Sequence, residues 1–198
     1  MKLLQKEKKN SKYYYRLTYI FIYFDKYTKL KRTAEAMDEQ IKEVSEAVEQ
    51  LESIESALEI AQNEADLAQI RKELVDSGYI KSHPTSKNSR KEKITSKPFH
   101  YLSSDGFDIY VGKNNYQNDE LTFKIANGGD WWFHAKKIPG SHVVLKTGGK
   151  EVPDRAFEEA ASLAAHFSRA GDSDKVEIDY IQRKHIKKPC GAKPGFVI

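Results

Sequence analysis

A chain of 198 residues, 39% hydrophobic and 31% charged, has room for one domain or for one domain with an extended element. Its single cysteine, Cys190, excludes an internal disulfide and a cysteine-rich zinc site, and fits a reducing cytoplasm. The net charge of +4 hides a segregation: residues 1–29 carry eight Lys/Arg against two acids, 30–80 five against thirteen, 81–97 six against one, and 98–198 fourteen against thirteen.

Residues 1–29 form an atypical segment, basic from Lys2 to Lys12, then aromatic and apolar from Tyr13 to Phe24. A basic start before an apolar run has the outline of a signal peptide, but Arg16 interrupts the run and no small-x-small cleavage site follows. The run also falls short of the about 20 clean apolar residues that span a bilayer. It reads as a helix or partner-facing segment, with no membrane role.

From Leu30 the apolar residues Ala34, Met37, Ile41, Val44, Val48 and Leu51 recur at alternating steps of four and three, the spacing of a coiled-coil seam. A second three-residue step to Ile54 is a stammer, after which Leu58, Ala61, Ala65 and Ala68 resume the pattern. With no Gly or Pro before Gly78, residues 30–80 are expected to be one helix on the order of 70 Å long. Its outer glutamates read as a solvated face. A single narrow apolar stripe does not stay unpaired in water, so the partner is the remainder of a longer protein or a second copy. Residues 81–97, polar and basic, read as a linker.

Residues 98–198 have the mixture of a small α+β domain. Phe99–Leu102 and Phe107–Val111 flank the turn Ser103-Ser104-Asp105-Gly106 as a hairpin, and a short helix is expected over Gln117–Ala126. The turn Asn127-Gly128-Gly129-Asp130 precedes a strand Trp131–Ala135, and Ile138-Pro139-Gly140-Ser141 precedes a strand His142–Leu145. Val152-Pro153-Asp154 starts the main packed helix, ending near Arg169-Ala170-Gly171, with Phe157, Ala160, Leu163, Ala164 and Phe167 on one face. Lys175–Ile181 alternates as a strand, and Phe196–Ile198 begins another. The whole is α+β: a long coiled-coil helix, then a small domain with a β-sheet and one main helix.

Tyr110-Val111-Gly112-Lys113-Asn114-Asn115-Tyr116-Gln117-Asn118-Asp119, Asp130–His134, Pro139-Gly140-Ser141-His142, the alanine-rich helix, Lys187-Lys188-Pro189 and Lys193-Pro194-Gly195 occur in an order that resembles the RNA-binding NFACT-R domain of the NFACT family, RqcH- and NEMF-like proteins once named for fibronectin binding. Phe24 to Ile80 is similar to the second arm of that family's middle coiled coil. The N-terminal domain, the helix-hairpin-helix region and the first arm have no counterpart here, and the pattern of a last strand stops at Ile198, so the chain resembles a fragment. The resemblance implies a cytoplasmic, ribosome-binding portion of a quality-control factor. Such a factor engages large subunits carrying peptidyl-tRNA and supports alanine tailing of stalled chains. The implied partners are rRNA and tRNA, the implied cofactors none, and the tRNA-selecting domain is absent.

RNA binding needs cations for phosphates and open aromatic faces for bases. The acid-free loop contributes Arg183, Lys184, His185, Lys187, Lys188 and Lys193; Lys136 and Lys137 lie beside the tryptophans; Lys113 and Asn114 complete the set. Strand alternation points Trp131 and Trp132 to opposite faces, one into the core and the other toward a ligand. Asp130, His134 and His142, with Ser141, can be drawn as a hydrolase cluster. Without HxH, HExxH or a phosphate-binding glycine loop, they read instead as structural, with Pro139 and Gly140 shaping a turn that Ser141 and His142 pin. No catalytic residue and no metal are therefore assigned. The alternatives are a surface fibronectin-binding adhesin fragment or a small His/Asp-dependent hydrolase.

Overall fold

The computed structural model describes residues 2–81 and 96–198, with side chains from Tyr15 onward except Leu17. Most of the expected basic linker, 82–95, lies outside the described residues. The chain divides into two compact units, Met1–Val48 and Glu49–Ile198.

The first unit is supplied by α1, a helix that runs over Lys2–Ile60. No glycine or proline interrupts it, so the backbone ladder continues unbroken. Thr28 and Thr33 turn their hydroxyls back onto the carbonyls of Phe24 and Lys29. Tyr23, Tyr27, Leu30, Ala34, Met37, Ile41, Val44 and Val48 follow one another at steps of four and three along one stripe, and all are exposed.

In the second unit the expected single helix is corrected. α1 ends at Ile60, residues 61–63 break it, and α2 resumes over Glu64–Asp76. Asn63 caps α2, its side chain accepting from the Asp66 amide at 3.0 Å, while the Asp66 carboxylate accepts from the Gln62 amide at 3.1 Å. The chain folds back on itself, so that Gln50 reaches Ser77 at 2.7 Å and the Tyr79 hydroxyl at 3.1 Å. Ile54, Ala57 and Ile70 bury the apolar contact between the two helices. Gly78, in the left-handed region at φ 79°, stops α2 where the sequence placed a stop.

The α+β domain is built on a five-stranded antiparallel sheet of β1 (Phe99–Leu102), β2 (Asp108–Val111), β3 (Trp131–Ala135), β4 (Val143–Leu145) and β5 (Ile178–Gln182), in the order β1-β2-β4-β3-β5. Strand alternation gives it two apolar faces. Ile109, Val111, Phe133, Val143 and Leu145 face α4 (Asp154–His166), whose Ala160 and Ala164 let it lie close on the sheet. Trp132 and Val144 point the other way and are covered by Leu121 and Ile186. This second cover consists of α3 (Asn115–Glu120), a π-helical turn over Leu121–Ile125, and the chain after β5.

Several bounds differ from the sequence reading, among them the start of β5, at Ile178 rather than Lys175. The helix expected over 117–126 starts at Asn115 and loosens into the π turn after Glu120. α4 ends at His166, because the next residues peel away to the Pro139–Ser141 turn: Ser141 N–H donates to Phe167 O at 3.0 Å and Arg169 N–H to Pro139 O at 2.9 Å. Phe196–Ile198 is not a strand, although Lys187 and Ile198 exchange two backbone hydrogen bonds of 2.8 and 2.9 Å.

Candidate nucleic-acid interface

The Lys113-to-Gln117 motif is buried and faces α2. Lys113 Nζ lies 3.2 and 3.3 Å from the two carboxylate oxygens of Asp66 and 4.5 Å from the Phe99 ring centroid. Asn114 caps α3 and donates to Gln69 at 2.9 Å, Asn115 donates to Glu73 at 2.7 Å, and Gln117 shares Gln69 with Asn114 at 2.9 Å. Asp66, Gln69 and Glu73 recur at steps of three and four, so they form one stripe of α2 that meets the motif side chain by side chain. The acidic residues read as a solvated face thus include a buried polar stripe. Lys113 and Asn114, placed among the RNA contacts by the sequence, are 8% and 2% exposed and spend their polar groups on this dock.

Burial opposes the Asp66 charge, but Ser96, Lys113 and the Gln62 amide outweigh it and hold the carboxyl below the usual range. Glu73 lacks such compensation. Burial pushes its carboxyl up, the Asn115 bond opposes this only in part, and Oε2 is buried without a hydrogen-bond partner.

The tryptophans do face opposite sides, yet neither is an open platform. Trp131 is half-buried, its ring edge-on to Phe157 at 5.2 Å and tilted toward Tyr180 at 6.1 Å. Trp132 is buried, 5.0 Å edge-on to His142 and stacked 5.6 Å from His134, and its Nε1 has no hydrogen-bond partner. His142 meets Thr122 Oγ1 at 2.8 Å through Nδ1, and its amide donates to Asn118 Oδ1 at 3.0 Å. Burial and the neighbouring His134 push the His142 imidazole down to about 3. Burial also lowers His134.

Asp130 is buried as well. It accepts from the amides of Asn127 and Thr147 at 2.7 and 2.9 Å and pairs with Lys146 Nζ at 2.7 Å. Burial raises its carboxyl, but Lys146 and the two amides outweigh that and hold it low. It ties the turn before β3 to the end of β4, and its oxygens are occupied. Ser141 joins the Phe167 carbonyl through its amide, and Gly140 approaches Ser168 so closely that an added Cβ would lie 3.1 Å from its Cα. Pro139 accepts from the Arg169 amide. These residues hold the turn to the end of α4.

The basic loop lies over the cover of the second sheet face. Arg183 is half-buried: Nε donates to Thr122 O at 2.7 Å, and its guanidinium sits 5.1 Å over Phe123. Lys184 and His185 are exposed on a short 3₁₀ turn, with the Lys184 amide tied to Gly128 O. Ile186 is buried and anchors the loop, leaving Lys187, Lys188 and Lys193 exposed. Lys188 pairs with Asp119, which also accepts from the Gly195 amide at 2.9 Å. Lys124 is exposed on the π turn that Arg183 grips, a cation the sequence reading missed because it treated 117–126 only as a helix.

Lys136 and Lys137 leave the other end of β3, about 16 Å away at about 3.3 Å per residue. Lys136 pairs with Glu177 at 3.0 Å, and that contact raises its ammonium; Lys137 is exposed at φ 55°. The predicted cations therefore fall into three places: the loop after β5, the far end of β3, and the buried dock.

Among the described residues, no group of three or more His, Cys, Asp or Glu side chains is placed to hold a metal ion. No helix among them is long and apolar enough to cross a membrane.

A family model described as the NFACT protein RNA binding domain matches residues 97–195, and one described as the NFACT N-terminal and middle domains matches 22–93. The Rqc2 homolog RqcH of Streptococcus suis (strain 05ZYH33) is 46% identical over 176 residues, covering 88% of this chain and 31% of that protein. The Rqc2 homolog RqcH of Bacillus subtilis (strain 168) is 41% identical over 177 residues, with 88% and 30% covered. The chain thus spans about a third of the length of these curated relatives. A solved structure, the C-terminal part of the fibronectin/fibrinogen-binding protein from Streptococcus suis, superposes with a TM-score of 0.78 at 45% identity, covering 89% of this chain and 69% of that one.

Proposed function

The chain belongs to the NFACT family, and from that premise we propose that it is an RNA-binding portion of a ribosome quality-control factor, acting as a binding module. In this reading it engages large ribosomal subunits that carry peptidyl-tRNA and supports alanine tailing of the stalled chain. Residues 98–198 are the RNA-binding domain and 30–80 its helical arm.

The observation that carries the reading is the set of exposed cations Lys184, Lys187 and Lys193, with the exposed His185 among them and Lys124 beside it. Arg183 and Ile186 fix the backbone beneath them, so the cations are presented from an anchored loop. The covered tryptophans direct recognition toward phosphates rather than stacked bases, which makes it tolerant of sequence. Lys188 joins only when it leaves Asp119. Lys136 and Lys137 form a separate contact at the far end of β3, and Lys113 and Asn114 hold the dock.

Binding to ribosomal or transfer RNA, measured by fluorescence anisotropy across salt, tests this. Four neutralised phosphates give a slope of about −3 for log affinity against log salt concentration. Changing Lys184 and Lys187 to Glu weakens binding across all RNA sequences while the thermal midpoint stays put. Salt-independent or absent binding overturns the reading. The solved relative is named for fibronectin and fibrinogen binding, and saturable binding to either with no RNA binding would favour a matrix-protein ligand instead.

A further inference from the structure

The basic loop after β5 is fixed at both ends. Arg183 and Ile186 hold its start to the cover of the second sheet face, and its far end rests on α3 at Gly195. We propose that Asn115 is a positioning residue for this loop, carrying the seating of α2 and the end of α1 on α3 through to Gly195. The loop's cations then keep their places only while that seating holds. The consequence for RNA affinity rests on the reading of this loop as the RNA contact.

Asn115 stands where three stretches of chain meet. Its Oδ1 accepts from Ser53 Oγ of α1 at 2.8 Å, and its Nδ2 donates to Glu73 Oε1 of α2 at 2.7 Å. On the loop side it abuts Gly195, where an added Cβ would lie 2.5 Å from Asn115 Oδ1 and 3.1 Å from its Cβ. Gly195 has a φ of 81°, so a glycine serves both the backbone turn and the close approach. One turn along α3, Asp119 accepts from the Gly195 amide at 2.9 Å and pairs with Lys188.

This junction has little slack. Asn115 is 6% exposed, and both ends of its amide are committed to the two helices. Rotating it away would leave buried polar groups unpaired, so the helices set its position and its position sets how Gly195 can lie. Lys187 and Ile198 exchange two backbone hydrogen bonds, which close the intervening segment into a ring. A displacement at Gly195 is therefore passed to Lys188 and Lys193 within that ring. The Lys113–Asp66 pair of the same dock differs: the partners of Asp66 are Lys113, Ser96 and the Gln62 amide, none of them in the loop.

Amide hydrogen exchange of the full 198-residue chain tests the link by comparing two double variants. Asn115→Ala with Glu73→Leu removes the relay and leaves no unpaired buried carboxylate, whereas Lys113→Met with Asp66→Leu alters the dock away from the loop. In the first, the hydrogen-bonded amides of Lys187, Gly195 and Ile198 exchange about tenfold faster while β3 and β4 keep their wild-type rates. In the second, all keep them. Ser53→Ala, a milder change that leaves Glu73 paired, speeds the same loop amides about two- to threefold. In RNA anisotropy the Asn115→Ala, Glu73→Leu chain binds several-fold more weakly, its salt slope is shallower by about 1, the share of one phosphate, and the Lys113→Met, Asp66→Leu chain binds as the wild type does. Unchanged loop exchange in both the Asn115 and the Ser53 variants overturns the proposal. Equal loosening of the loop in both double variants also overturns it, because general destabilisation then accounts for the effect. Loop loosening confined to the Asn115 and Ser53 variants, in a protein whose wild type binds no RNA, supports the positioning role and overturns the RNA reading instead.

Discussion

Acidification to pH 5 destabilises the α+β domain through His142. The imidazole is fully buried between Trp132, His134 and Thr122, and its folded-state pKa of about 3 compares with about 6.5 in an unfolded chain. A depressed pKa means that the unfolded state binds the proton first. The stabilising effect is therefore complete above about 6.5 and is lost progressively as pH falls toward 3. At pH 5 the unfolded histidine is almost wholly protonated and the folded one is not, a difference of about 2 kcal/mol from this residue alone. His134, also lowered by burial, adds in the same direction.

Asp66 and Asp130 act at the acid end of this window and below it, since their lowered carboxyls lose their contribution only as pH drops through the usual carboxylate range and beneath it. Glu73 runs the opposite way: raised by burial, it contributes below about 4.5 and loses that contribution as pH rises through its folded pKa, so acidification offsets part of the loss. Urea titrations at pH 7.5 and pH 5 read the net change, and thermal melts should fall by about 4–8 °C for a unit of this size. In a His142→Gln variant the slope between those pH values flattens. Equal wild-type stability at both would refute the assignment of a neutral, buried His142.

Lys113→Ala leaves Asp66 charged, buried and unpaired, and should cost about 3–5 kcal/mol, whereas Lys113→Met with Asp66→Leu should cost far less. Denaturant midpoints of the three chains check this, and RNA affinity of the folded variants should stay unchanged. Gly112→Ala places a Cβ 2.2 Å from Asn118 Oδ1, the acceptor of the His142 amide, and 3.0 Å from the Asn118 nitrogen. The shift it forces should lower stability by about 1–3 kcal/mol, read by the same titration.

Much of the fold was legible because local signals and burial agree. Trp131–Ala135 sits between two turn signals, and its alternation of Trp, Phe and Ala against Trp and His is that of a strand apolar on both faces. Pro153 and the alanines of α4 give both its start and its close packing. The break after Ile60 escaped because the heptad count runs through it with alanines. The signal was Asn63 followed three residues later by Asp66, a cap written inside an apolar pattern.

The polar groups of Lys113 and Asn114, expected to face RNA, are engaged within the protein for a physical reason. A lysine and an amide read alone are a phosphate contact; read against Asp66, Gln69 and Glu73 at helical spacing they are half of a buried polar interface. Nothing in one segment names its partner in another. The loop after β5 was easier, since thirteen residues from Arg183 to Gly195 without an acid leave its cations unpaired locally, and only the distant Asp119 takes one of them.

The most direct measurement is cosedimentation of the chain with large ribosomal subunits that carry peptidyl-tRNA, against empty subunits at the same salt. RNA binding through the loop after β5 predicts preferential pelleting with the obstructed subunits, lost when Lys184 and Lys187 become Glu and retained in the Lys113→Met, Asp66→Leu chain. Equal or absent pelleting with both kinds of subunit, from a chain shown to be folded, would contradict it.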